Sequence, residues 1–147
     1  MGNLYEYFAA DTDDQAAAAT QTPAGPVGAG GWDAIHGPGI EPSINLADLE
    51  EVLTGVSYED IVGNPRASKT ISGDEHCFVV TVTDRLHGTL AALPPDRIPI
   101  VAGEWSHAEE FDGAASPGDL AGFLSEFRAL AERAAQRSQR LYCWVSL

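Results

Sequence analysis

Residues 116–147 read SPGDLAGFLSEFRALAERAAQRSQRLYCWVSL, and the fold turns on how this stretch is parsed. Ser116 offers an N-cap hydroxyl, Pro117 suits the first helical position, and Asp119 puts an acid at the third. Leu120, Phe123, Leu124, Phe127, Leu130, Ala131 and Ala134 then recur at steps of three and four, the apolar stripe of one long helix. Leu141 to Leu147 follows as an apolar strand.

Working outward, Leu4 to Phe8 alternates aromatic and polar residues and suits a first strand. Ala67 to Ile71 and His76 to Thr83, around the turn Ser72-Gly73-Asp74, read as a hairpin with Phe78, Val80 and Val82 on one face. Arg97 to Val101 reads as a further short strand. Between these lie helices. Asp11 or Thr12 caps a short one through Ala19, and Ser43 opens one with Ile44, Leu46, Leu49, Val52 and Leu53 inward, stopped by Gly55. Ser57 starts another turn of helix, and Asp84 caps one through Leu86, Leu90 and Leu93. With a hairpin and no regular βαβ alternation, the expectation is α+β: a small, largely antiparallel sheet packed against the long C-terminal helix and shorter helices. At 147 residues the chain is read as one domain, 1–147.

Residues 22–42 hold six glycines and four prolines and are expected to form a long loop without regular structure. An apolar island, Gly31-Trp32-Asp33-Ala34-Ile35-His36, sits inside it. A loop of that length in a small domain is a place to look for function.

Charge narrows the partners. The chain has 22 acids and 8 bases, a net charge of −14. Residues 1–65 carry 11 acids and no Lys or Arg, whereas residues 128–147 carry four Arg and one Glu. Nucleic acid and anionic membrane surfaces need clustered bases and are not expected partners. The late arginines are expected to pair with the acidic half. No 18-residue apolar run and no basic leader occurs, and Cys77 and Cys143 read as isolated free thiols, so the expected location is cytoplasmic.

No GxGxxG, P-loop, GxSxG, HExxH or EF-hand pattern occurs, and neither cofactor nor metal is expected. The segment Glu104-Trp105-Ser106-His107-Ala108-Glu109-Glu110-Phe111 is the densest reactive cluster. His107 and Glu110, three apart, fit an acid–base pair. A capping box from Ser106 to Glu109 explains the same spacing and is preferred, with Trp105 and Phe111 as packing anchors. Asp33 and His36 are a second candidate pair, against a plain turn-forming role.

The opening Met1-Gly2 with Tyr5, Tyr7 and Phe8, the segment Gly31 to His36, and Leu53-Thr54-Gly55 are similar to the YfbM-like family of small bacterial proteins. In that family the Trp–His segment runs almost directly into Leu-Thr-Gly, whereas here Gly37 to Leu49 intervenes. The C-terminal half, with Glu109-Glu110-Phe111 and Leu141-Tyr142-Cys143-Trp144, resembles hypothetical actinobacterial proteins. The resemblance implies α+β and brings no activity or site residue with it.

The functional expectation is an acidic protein-interaction module, inhibitor- or immunity-like, that binds a basic protein partner. Its expected contacts are Trp32, Asp33, Asp48, Glu50, Glu51, Glu59 and Asp60. The alternative is a small enzyme or ligand-binding protein with its site between the 22–42 loop and residues 104–111, using His36, His107 and Glu110. A third reading makes the acidity an adaptation to salt.

Overall fold

A computed structural model describes residues 2–111, 113 and 115–147, so Met1 of the opening motif lies outside the described residues. The last strand is the centre of the molecule. Arg140–Ser146 (β5) pairs antiparallel along its whole length with Leu4–Ala10 (β1), from Leu4 opposite Ser146 to Ala10 opposite Arg140. On its other side it pairs with Cys77–Thr81 (β4), which continues antiparallel into Thr70–Gly73 (β3). Ala34–His36 (β2) closes the far edge against β1, giving the order β2-β1-β5-β4-β3. The architecture is α+β with an antiparallel five-stranded sheet and a long C-terminal helix.

Strand residues alternate sides, so β5, buried without a break from Leu141 to Val145, needs a core on each face. Tyr7, Ala9, Val80, Val82, Leu141, Cys143 and Val145 share the larger core, and Phe8, Ala10, Val79, Tyr142 and Trp144 the smaller. The helices Ile44–Thr54 (α3), Asp84–Ala92 (α5), Ile98–Trp105 (α6) and Pro117–Gln136 (α7) cover the first face. Ala16 and Ala19, from Asp13–Ala17 (α1) and the turn after it, cover the second together with Trp32.

α7 starts as its sequence says, with Ser116 Oγ accepting the Asp119 N–H at 3.4 Å. All seven residues of its apolar stripe are buried. Phe123 and Phe127 lie 5.6 and 4.9 Å from the Tyr7 ring, which fastens α7 to β1. Burying each such ring contributes roughly 1.5–3 kcal/mol relative to leaving it in water. The helix ends with Ser138 at φ 56° and the Gln139 N–H on the Ala134 carbonyl at 2.8 Å, a Schellman close built on serine.

Four local expectations change. Residues 22–42 contain regular structure after all: the short helix Gly25–Ala29 (α2) and strand β2. Pro26 sits where a first turn has no use for an N–H, and the β1 edge supplies the ladder that the glycines alone could not. Arg97 to Val101 is not a strand; Pro99 opens α6 within it, and Ile98 and Val101 are buried on the helix face. Thr83, not Asp84, caps α5, accepting the Leu86 N–H at 3.1 Å. Ser106 is the C-cap of α6, its Oγ donating to the Gly103 carbonyl at 2.7 Å, so the box with Glu109 does not form.

Candidate functional site

α3 begins where Glu41 gathers its free N–H groups. Oε2 accepts the Ser43 N–H at 3.0 Å, and Oε1 accepts from Ile44 and, at 2.9 Å, Asn45. A carboxylate there satisfies three orphan donors and complements the helix dipole. Leu46 and Leu49 bury one side of α3, leaving Ile44, Asp48 and Glu51, spaced four and three apart, along another.

Residues 108–110 are brought to that side by Trp105. Its ring is fully buried, and its indole N–H donates to the Asn45 carbonyl at 3.0 Å. Phe111 meets it edge-on at 5.5 Å. Tyr58, at the start of Tyr58–Val62 (α4), is held by its backbone N–H on Glu51 Oε2 at 3.0 Å. The result is a depression of about 430 Å³ lined by Ile44, Asp48, Glu51, Tyr58, Ala108, Glu109 and Glu110.

The depression is strongly negative. Partial burial raises the Asp48 carboxyl above its ordinary value, and Glu51, Glu110, Glu41 and Glu109 push it the same way. The Tyr58 phenol is raised by burial and then by Asp48, Glu41 and Glu110. Among the described residues no Lys or Arg lines it. Among the described residues no three His, Cys, Asp or Glu come close enough to hold one metal ion. The carboxylates are a spread field, suited to several separated cationic groups.

Six of the eight basic side chains are ion-paired elsewhere. Arg133 and Arg137 bind Asp33, Arg140 binds Asp84, Arg128 binds Glu132, Arg66 binds Asp13 and Arg85 meets Glu50. Asp33 is held below the usual carboxylate range, first by the Arg133 hydrogen bonds and then by the charges of Arg133 and Arg137.

The expected contact residues therefore separate. Asp48 and Glu51 lie in the depression, and Glu59 and Asp60 are exposed on the first turn of α4. Glu50 is only 1% exposed, with Thr83 Oγ1 donating to Oε1 and Arg85 Nη1 at 3.5 Å from Oε2; facing inward, it offers a partner nothing. Asp33 is bound by two arginines, and Trp32 packs edge-on against Phe8 at 5.2 Å, so both secure the glycine-rich segment.

His36, His107 and Glu110 do not share a site. His36 is exposed on the edge strand, its Nδ1 3.7 Å from Glu6, above a depression lined also by Pro38, Leu120, Phe123 and Glu126. Glu110 belongs to the acidic depression, and His107, exposed just after α6, lines neither. The loop does meet the later segment, with Pro38, Gly39 and Ile40 facing Phe111 and Ala115 across about 270 Å³, but without either histidine.

Sequence reading misses Glu109 and Tyr58 as part of one surface, because a capping box accounts for Glu109 locally and Tyr58 falls in the short helical turn after Ser57. It also misses Glu6, 4% exposed, whose Oε1 accepts the Val27 N–H at 2.9 Å. A Cβ on Gly25 would stand 2.6 Å from that oxygen, so glycine there is required by the carboxylate as well as by its φ of 82°. Among the described residues no helix is long and apolar enough to cross a membrane. Comparison with family models, with curated protein sequences and with solved structures finds no match for this chain.

Proposed function

We propose that the protein is an acidic interaction module that binds a basic protein partner through α3, the first turn of α4 and residues 108–110. One observation carries this reading: segments some 60 residues apart converge to set Asp48, Glu51, Glu109 and Glu110 around a half-buried Tyr58, with no base among them. Such a field steers a cationic surface at the encounter stage and selects against acidic partners. Ile44 and Tyr58 add apolar area at its middle, where interfaces concentrate their binding energy. The free thiols of Cys77 and Cys143 suit a reducing compartment.

The test is capture from native lysate on the wild-type protein and on a variant carrying Asp48→Lys, Glu51→Lys, Glu109→Lys and Glu110→Lys. The reading expects one basic protein held in stoichiometric amount by the wild type, released by salt and absent from the variant. Equal capture by both proteins would contradict it.

A further inference from the structure

A second hollow, sharing no lining residue with the acidic depression, lies between the C-terminal halves of α3 and α5 and the side of α6 that carries Val101 and Glu104. It has a volume of about 420 Å³. That is within the range of small-molecule sites. Its apolar lining is aliphatic: Val52 and Leu53 from α3, Leu93 after α5, and Val101 from α6. Gly88 and Ala92, one turn apart on α5, form a wall with almost no side chain. A Cβ at Gly88 would meet nothing within 4 Å. Glycine is a poor helix residue, and here its absent side chain keeps the hollow open.

Arg97 stands at one end. Six of the eight basic side chains in this protein are ion-paired, and Arg97 is the one arginine without an acidic partner among the described residues. Arg128, which reaches the nearby Leu93 carbonyl, is committed there and to Glu132. Glu104 lines the hollow too, seven residues further along α6 and so about 10 Å away along its axis. A guanidinium without an acidic partner among the described residues and an aliphatic trough complement a negative head and an apolar chain, and the Glu104 carboxylate at the far end repels a second negative charge.

We propose that this hollow binds a small medium-chain monocarboxylate, its carboxylate on Arg97 and its chain over Val52, Leu53, Leu93 and Val101. Guanidinium pairs well with carboxylate through two parallel hydrogen bonds. Glu104 rejects a ligand charged negatively at both ends, so dicarboxylates of equal length are excluded. The site is independent of the partner surface on α3 and α4.

The experiment is an amide NMR titration of the full chain with octanoate, suberate and 1-octanol. Octanoate shifts the amides of Gly88, Thr89 and Val101 saturably, and both other compounds bind at least about tenfold more weakly. Arg97→Gln weakens octanoate by about tenfold or more without altering the fold, since Arg97 is exposed and has no acidic partner among the described residues. Gly88→Leu fills the wall and abolishes the response. Octanol binding as tightly as octanoate, octanoate shifts that survive Arg97→Gln unchanged, or no saturable shift at the hollow would each overturn the proposal. Arg97→Gln alone decides the matter if Gly88→Leu fails to fold.

Discussion

Arg133 donates from Nε and Nη2 to the two carboxylate oxygens of Asp33, at 2.8 and 2.9 Å, across 100 residues of sequence. Arg137 adds a third contact at 3.3 Å. The glycine-rich segment is thereby clamped to α7 just before β2 begins. Asp33→Asn removes the charge and keeps the shape. All three side chains are partly exposed, so after solvent screening the expected loss is about 1 kcal/mol. Urea unfolding at low salt reads this loss, and it shrinks in molar salt.

Asp13 sets an acid limit on stability. Hydrogen bonds from Arg66, then from the Tyr142 hydroxyl, lower its carboxyl from 3.8 to about 2. The folded value lies below the unfolded one, so the stabilisation is complete above about 4 and is lost as pH falls through about 2. The group is part-exposed, and its discounted share is about 1 kcal/mol. Thermal melts of the wild type fall between pH 4 and 2. The Asp13→Asn protein, weaker at neutral pH, shows a shallower fall over that range.

Ser138 marks a place where sequence and conformation disagree. It holds φ 56° at the close of α7, a conformation that costs a side chain roughly 1 kcal/mol. Ser138→Gly is expected to stabilise the protein by about 0.5–1 kcal/mol, read as a higher urea midpoint at unchanged slope.

Trp105 carries both core and site. Trp105→Ala opens a cavity under α3 and is expected to cost about 3–5 kcal/mol. Trp105→Phe keeps most of the ring but gives up the indole hydrogen bond to the Asn45 carbonyl, at a cost of about 1 kcal/mol. The phenylalanine protein still folds and separates stability from placement of residues 108–110. Its partner affinity falls while that of Ser138→Gly does not.

Strands β1, β3, β4 and β5 and helix α7 were legible because their signals are local and repeated, as in the Ser116-Pro117 start, a stripe of seven apolar residues, and an apolar terminal strand. Arg97 to Val101 was misread because a short apolar run has no period of its own, and Pro99 was the one sign of a helix start. That error propagated. Without α6, Ser106 looked like the beginning of a helix when it is the end of one.

The acidic surface was half legible. The density of acids in residues 48–60 is plain in the sequence, but Glu50 and Glu51 are neighbours with opposite fates, set by which side of α3 faces Thr83. That Glu109 and Glu110 join them depends on the Trp105–Asn45 hydrogen bond, a contact between residues 60 apart. No spacing rule reaches so far.

The most direct test of the acidic surface is the rate at which the captured basic partner associates with the wild type and with the four-lysine variant, followed across ionic strength. The expected result is a wild-type rate that drops steeply with salt and a variant rate at least about tenfold slower at low salt, with little salt dependence. Equal rates with equal salt dependence would show that Asp48, Glu51, Glu109 and Glu110 do not form the binding surface.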